Sequence, residues 1–188
     1  MYDAVSALEG VNFTGLVQVQ EAGLRGMLTL RGDLGSLKLK NAVKKLTGVV
    51  VPDIGGINLK NDKGVAWMSP DELLILLPYN QARTAIATLS KTLKNTHHLA
   101  VNVSDARAVF TLSGVQARDV LAKLTPADMS QQGFEPGQIR RSRIAQVPAA
   151  FWQSADQEIT LVCFRSVAGY VFDFLKNAAN TDSRVDYF

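Results

Sequence analysis

The sequence has very few of the residues on which most enzymes and secreted proteins depend. Its 188 residues include one cysteine, Cys163, and two histidines, His97 and His98. A single cysteine excludes an internal disulfide and favours a reducing compartment. Adjacent residues on a strand point to opposite faces, so the two histidines are not expected to converge on one metal ion or one nucleophile.

Long apolar runs are also missing. The longest, from Leu73 to Pro78, is far shorter than the roughly 20 residues that a bilayer-spanning helix needs. The first residues, Met1-Tyr2-Asp3-Ala4, lack the basic and then apolar pattern of a signal peptide. We therefore expect a cytoplasmic protein with no membrane partner.

The common catalytic motifs are absent as well. The sequence has no G-x-S-x-G elbow, no C-x-x-C, no phosphate-binding G-x-x-x-x-G-K and no G-x-G-x-x-G. Cys163 lies in an apolar run, where a thiol is expected to be buried and inert. The neighbouring carboxylates Asp71 and Glu72 fall in a predicted turn and do not form an acid and base pair. No catalytic, cofactor-binding or metal-ligating residue is expected in this chain.

What the sequence does have is an uneven distribution of charge. Its net charge is only +3, but residues 25–63 carry eight basic residues against three acidic ones. A local charge of +5 suits an acidic protein partner or a polyanion, although a solvated helix face is the simpler explanation. A nucleic-acid module is disfavoured because the predicted strands do not alternate exposed aromatic and basic residues, so no nucleic-acid partner is expected.

A second basic cluster follows in the run Arg140-Arg141-Ser142-Arg143. On a strand, Arg141 and Arg143 would share one face with Ile139. The planar guanidinium binds carboxylates through two parallel hydrogen bonds and is enriched at protein interfaces. Arg141 and Arg143 are therefore the candidate partner-interface residues, with solvated strand residues as the alternative.

The dominant pattern is an internal repeat, in which two helical stripes of the first half recur in the second half. The first stripe is Leu39, Ala42, Val43 and Leu46, repeated as Ala117, Val120, Leu121 and Leu124. The second is Ala82, Ala85, Ile86, Leu89 and Leu93, repeated as Ala168, Val171, Phe172, Leu175 and Ala179. A short strand that ends in glycine precedes the first helix of each copy.

These patterns predict an α+β fold of two tandem ferredoxin-like β-α-β-β-α-β units. The first unit is residues 25–104, with strands 25–31, 63–68, 72–77 and 98–103 and helices 36–47 and 80–94. The second is residues 105–188, with strands 107–112, 138–147, 158–164 and 184–188 and helices 114–124 and 167–179. Residues 1–24 are predicted to be an N-terminal arm with one strand at 16–20. Alternatively, the two units pack as one compact domain.

Residues 101–128 and the following Phe134-Glu135-Pro136-Gly137 resemble the folate-binding aminomethyltransferase superfamily. Together with the stretch from Trp67 to Glu72 and with Gly32-Asp33, the chain resembles the gamma-subunit family of heterotetrameric sarcosine oxidases over roughly residues 24–180. This resemblance implies an aminomethyltransferase folate-binding-domain-like fold and an accessory, non-catalytic subunit in a complex of four unlike chains.

In that family the complex demethylates sarcosine to glycine with oxygen, producing hydrogen peroxide and, with tetrahydrofolate, its methylene derivative. The resemblance implies that FAD, FMN, NAD and tetrahydrofolate are held by larger flavoprotein subunits and that none is held by this chain. Active aminomethyltransferases carry an acidic residue after the third strand of the unit, whereas the matching Ala145–Ala150 has no carboxylate. Folate contacts therefore do not carry over, and a stand-alone folate-binding aminomethyltransferase-like protein is the alternative.

Overall fold

The computed structural model of the chain describes residues 3–185, which fold as two α+β units. One unit is Arg25–Asp105, and the other combines residues up to Leu24 with those from Ala106 onward. The strands are β1 (Asn12–Thr14), β2 (Gln18–Glu21), β3 (Gly26–Gly32), β4 (Ile57–Lys60), β5 (Lys63–Ser69), β6 (Glu72–Leu77), β7 (His98–Asn102), β8 (Arg107–Ser113), β9 (Ile139–Ile144), β10 (Val147–Ala155) and β11 (Glu158–Phe164). The α-helices are α1 (Leu37–Thr47), α2 (Ala82–Thr92), α3 (Ala117–Ala122) and α4 (Ala168–Ala178).

Each unit contains one antiparallel sheet. The five-stranded sheet has the order β4-β5-β6-β3-β7, and the six-stranded sheet has the order β1-β2-β8-β11-β10-β9. In both sheets the first strand of the repeat, β3 or β8, lies in the interior beside the strand that precedes the second helix. This is the strand order of a ferredoxin-like unit, so the predicted fold class is confirmed.

The helical stripes predicted from the repeat form the cores of the two units. On α1, Leu39, Ala42 and Val43 are buried and Leu46 is half-buried, and they pack with the central strands of the five-stranded sheet. On α4, Val171 and Leu175 are fully buried against the other sheet. Burying one apolar stripe per helix on one sheet face is the main stabilising term, at about 1.5–3 kcal/mol per large side chain.

Glycine ends α1. Gly48 adopts a left-handed conformation, with φ at 80°, and its N–H donates to the carbonyl of Lys44 at 2.8 Å. A side chain disfavours this φ, so glycine allows the helix to stop at Thr47 at little cost. The chain then turns back toward β4, a strand that the sequence pattern did not predict.

The N-terminal arm supplies a strand of the six-stranded sheet. β2 pairs antiparallel with β8, in the position that β7 takes beside β3 in the other unit. The predicted arm strand at 16–20 is observed as β2 at Gln18–Glu21, and β1 extends the sheet beyond it. The strand predicted at 184–188 is wrong for residues 184 and 185, which are not in a strand, and its last three residues lie outside the described part.

The predicted strand 138–147 is in fact two strands. β9 ends at Ile144, Ala145 and Gln146 make the turn, and β10 begins at Val147. Ala145 adopts a φ of 50°, a conformation that hairpin turns usually assign to glycine and that alanine rarely adopts. The sequence has no glycine at this position, so it gives no signal of the turn. The stretch 145–150 is therefore a two-residue turn and the beginning of a strand.

A buried carboxylate holds the arm in place. Glu21, only 2% exposed, accepts hydrogen bonds from the Ser6 hydroxyl at 2.8 Å and from the backbone N–H groups of Leu8 and Gly10 at 3.2 and 2.7 Å. Three donors satisfy the carboxylate, which compensates for its removal from water. Glu21 therefore ties residues 6–10 to the end of β2.

We expect Glu21→Ala to lower the free energy of unfolding by about 2 kcal/mol, because three donors lose their acceptor in a buried site. Urea denaturation followed by circular dichroism measures this, and amide exchange at Leu8 and Gly10 should accelerate. Glu9→Ala, at an exposed position of the same arm, is the control and should change stability by less than about 0.5 kcal/mol. Equal effects of the two substitutions would contradict the role assigned to Glu21.

Candidate functional site

Arg141 and Arg143 lie on β9, the last strand of the six-stranded sheet. They pair in register with Ala150 and Pro148 of β10, and both are exposed. The alternation of the strand places them on the same face as Ile139, as predicted. The structure thus brings the two candidate arginines together at an accessible sheet edge.

Arg140, their neighbour, has a different environment. Its guanidinium donates to the carbonyl of Gly133 and, at 2.6 Å, to the side-chain oxygen of Gln138. It also lies 5.7 Å from the centre of the Phe134 ring. Arg140 therefore holds the connection between α3 and β9, whereas Arg141 and Arg143 are exposed.

A second arginine acts on the same connection and was missed by the sequence analysis. Arg118 donates to the carbonyls of Met129 and Ser130 at 3.1 and 3.2 Å and to the side chain of Gln153 at 2.9 Å. Its guanidinium lies 5.4 Å from the Phe134 ring centre. No short-range pattern could have revealed it, because its partners are 11, 12 and 35 residues away.

Two concave regions lie beside these groups, with volumes of about 460 and 430 Å³. Lys123 lines the first and donates to the carbonyls of Ala178 and Ser183 at 2.9 and 2.5 Å, and burial lowers the pKa of its ammonium group. Arg118 and Glu158 line the second, where Glu158 accepts from the Ser154 hydroxyl at 2.7 Å. The fold thus already uses these charged groups to hold its own loops.

The remaining polar candidates are structural. Across β3 and β6, Arg31 pairs with Glu72 at 2.7 Å and with Asp71 at 3.7 Å. The Ser69 hydroxyl, 2.6 Å from the Asp71 carboxylate, lowers the pKa of Asp71, with a smaller contribution from Arg31.

His98 contacts the carbonyl of Thr96 through Nδ1 at 2.8 Å. Within residues 3–185 no three His, Cys, Asp or Glu side chains cluster as metal ligands would.

Cys163 is buried in the core beneath α4, at 2% exposure. Burial raises the pKa of its thiol from 9.0 to about 12, although nearby Arg107 acts in the opposite direction. A nucleophilic cysteine requires an accessible thiolate. The prediction of a buried thiol is confirmed.

Helices that could cross a membrane do not occur in residues 3–185, since none is both long and apolar enough. The exposed arginine pair of β9 remains the candidate partner-binding surface.

Comparison with known proteins identifies similar chains. The family model described as the sarcosine oxidase gamma subunit family matches residues 31–181. A sarcosine oxidase subunit gamma from Corynebacterium sp. strain U-96 is 26% identical over 185 residues, which cover 96% of this chain and 89% of that relative. One from Corynebacterium sp. strain P-1 is 28% identical over 145 residues, which cover 76% and 70%.

Solved structures show the same similarity. A chain of the heterotetrameric sarcosine oxidase from Corynebacterium sp. U-96, solved with pyrrole 2-carboxylate, aligns with a TM-score of 0.82 and 25% identity over 95% of this chain and 91% of that one. Aminomethyltransferase T of the Bartonella henselae glycine cleavage system aligns with a TM-score of 0.60 and 15% identity over 80% of this chain and 43% of that one. The second similarity concerns the fold alone, and it bears out the predicted aminomethyltransferase-like architecture.

We expect Cys163 to react with a disulfide reagent at pH 8 at least about 100-fold more slowly in the native chain than in guanidinium, because both its thiolate fraction and its access are low. Absorbance of the released thiolate reports one site only, since the chain has a single cysteine. A Ser90→Cys variant, with the new thiol exposed on α2, is the control and should react rapidly without denaturant. Rapid native labelling of Cys163 would contradict its burial.

Proposed function

Since the chain belongs to the sarcosine oxidase gamma subunit family, we propose that it is the accessory, non-catalytic subunit of a heterotetrameric sarcosine oxidase. The observation that carries this proposal is the near-complete match to a chain of such a heterotetramer, at a TM-score of 0.82 over 95% of this chain. Similarity over 95% of this chain and 91% of that one favours a shared role as a subunit.

The proposed complex oxidatively demethylates sarcosine to glycine, with formation of hydrogen peroxide and tetrahydrofolate-linked transfer of the methylene group. In this proposal FAD, FMN, NAD and tetrahydrofolate are bound by the larger flavoprotein subunits. The environment of this chain's own groups supports a non-catalytic role. The pKa of the Cys163 thiol is about 12, and Lys123 and Arg118 bind carbonyls of their own unit.

The turn and strand at Ala145–Ala150 also support a non-catalytic role for this chain. The segment that corresponds to the acid-bearing stretch of active aminomethyltransferases contains no carboxylate. Its backbone is committed to the hairpin, because Val147 and Ala149 pair with Ile144 and Ser142 of β9. A reacting amine would find no general base there.

Co-expression tests the proposed assembly. A tagged form of this chain, produced with the other sarcosine oxidase subunits of its source organism, should co-purify with them and elute with them as one species of fixed stoichiometry. Omitting this chain should impair recovery of the complex. Obligate interfaces commonly bury more than about 2,000 Å², so the remaining subunits would expose a large surface and become prone to aggregation. Elution of this chain apart from the others would contradict the proposal.

A calorimetric titration with tetrahydrofolate separates this function from that of a stand-alone folate-binding protein. The isolated chain should give no binding heat at ligand concentrations of about 100 μM. Micromolar binding by the isolated chain would favour the folate-binding alternative. Flavin absorbance of the purified complex and of each separated subunit then locates the cofactors.

We further propose that Arg141 and Arg143 contribute to the subunit interface. They are exposed on an edge strand, where arginine can bind partner carboxylates through two parallel hydrogen bonds. Charged residues on an edge strand can also serve only to prevent pairing with another sheet. The two roles make different predictions for the same substitutions.

Replacing both residues, Arg141→Ser with Arg143→Ser, should raise the Kd for assembly by about tenfold, as expected for the loss of two partly exposed ion pairs. Surface plasmon resonance with the co-expressed partner subunits immobilised measures this. Arg83→Ser with Lys91→Ser on α2 removes the same charge from an exposed helix and is the control. Self-association of the β9 variant with unchanged partner affinity would show that the arginines only protect the edge.

A further inference from the structure

Helix α1 presents positive charge on its outer face. Its 11 residues contain four lysines, all exposed, and no acidic residue. Lys38 is used within its own unit, because it donates to the carbonyl of Lys94 at 2.8 Å. Lys40, Lys44 and Lys45 have no carboxylate partner among the ion pairs found in residues 3–185.

The stability of the helix does not account for this arrangement. Lys40 and Lys44 are four residues apart, so their like charges lie side by side on the helix surface and repel. Lys40 is also near the N-terminal end of α1, where the helix dipole favours an acidic residue. Only Lys44 and Lys45, in the last turn, gain from the dipole.

The positive surface continues beyond the helix. A Cβ atom added to Gly48 would lie 3.9 Å from Cδ of Lys60, so this lysine of β4 lies beside the end of α1. Two large apolar side chains are exposed nearby in the sequence: Leu37, 76% exposed, begins the helix, and Val50, 54% exposed, follows it. The side chain of Asn58 donates to the carbonyl of Val50 at 3.0 Å, which holds that loop beside β4.

We call this surface the lysine face and define it by six exposed residues of α1, of the loop that follows it and of β4. They are Leu37, Lys40, Lys44, Lys45, Val50 and Lys60. The unit that carries it, residues 25–105, has eleven lysine and arginine residues against six aspartate and glutamate residues, a net charge of +5. The rest of the chain has nine against eleven, a net charge of −2, so the positive charge of the molecule is concentrated in this unit.

A protein partner fits this surface better than RNA does. Modules that bind single-stranded RNA stack bases on exposed aromatic side chains. The two aromatic residues of residues 25–105 are Trp67 and Tyr79, and neither is exposed. Exposed leucine and valine beside lysines instead match a protein interface, in which apolar contacts are surrounded by complementary charge.

We propose that the lysine face docks on an acidic surface of another subunit of the complex. The inference rests on the proposed function, because it requires that this chain assemble with other subunits. It adds the location of the contact and the chemistry of the partner surface, which is rich in aspartate and glutamate around an apolar centre. The positive charge then serves association, and the repulsion within α1 is relieved when the complex forms.

The substitution Lys40→Glu separates docking from folding. It places a glutamate four residues before Lys44 and near the helix N-terminus, so it should raise the urea midpoint of the isolated chain. The same variant should raise the Kd for the partner subunits at least tenfold, and Lys40→Glu with Lys44→Glu at least 100-fold. Surface plasmon resonance against the co-expressed partner subunits at about 0.1 M salt, where the Debye length is about 10 Å, measures both affinities.

The control is Arg83→Glu with Lys91→Glu on α2, which makes the same change in net charge at exposed positions of the same unit. Its Kd should stay within about threefold of the unsubstituted value. If the control variant loses as much affinity for the partner subunits as the double α1 variant does, the proposal is overturned, because net charge and not the lysine face would then govern association. Unchanged affinity of the double α1 variant would overturn it as well.

A gel shift with single-stranded RNA completes the test. The expected result is no shift by the unsubstituted chain at about 0.1 M salt. An RNA shift that the α1 substitutions abolish, with assembly unaffected, would overturn the proposal in favour of a polyanion site. If the unsubstituted chain does not bind the partner subunits, the proposed function is wrong, and the inference fails with it. If it binds them and the lysine-face substitutions have no effect, only the inference is wrong.

Discussion

The pairing of β2 with β8 completes the second unit. In the first unit, β3 is flanked by β6 and β7, so a strand that follows α2 closes the sheet. In the second unit, β8 has β11 on one side, and the strand on its other side comes from the arm, more than 80 residues earlier. An uncovered β8 would leave a row of backbone donors and acceptors unpaired beside a buried core. Glu21 fixes the segment that prevents this.

Polar side chains serve different purposes in the two units. In the second, Arg118, Arg140 and Lys123 are directed at carbonyls of their own loops, where each charge-assisted hydrogen bond holds an irregular segment. In the first, most of the excess charge is exposed on α1 without acidic neighbours on the same helix. The second unit therefore uses these three cations to maintain its fold, whereas the first exposes the lysines of α1 to solvent.

The fold alone does not assign a reaction to the chain. An aminomethyltransferase shares it at a TM-score of 0.60 with only 15% identity, so the architecture is compatible with very different side chains at corresponding positions. The chemistry depends on those side chains. At Ala145–Ala150 the hairpin carries no carboxylate, and the thiol of Cys163 is buried in the core.

The sequence by itself determined the duplication, the helices and which of their faces are buried. The stripes on α1, α2, α3 and α4 follow from contacts between residues three or four apart, which the order of residues displays directly. It also determined the apolar surroundings of Cys163 and the basic character of residues 25–63. Only the tertiary structure decided that the arm closes the second sheet, that residues 138–155 form a hairpin, and that Arg118 and Arg140 converge on Phe134. Each of these depends on strand register or on partners distant in the chain, and such pairings are set by the packing of whole elements.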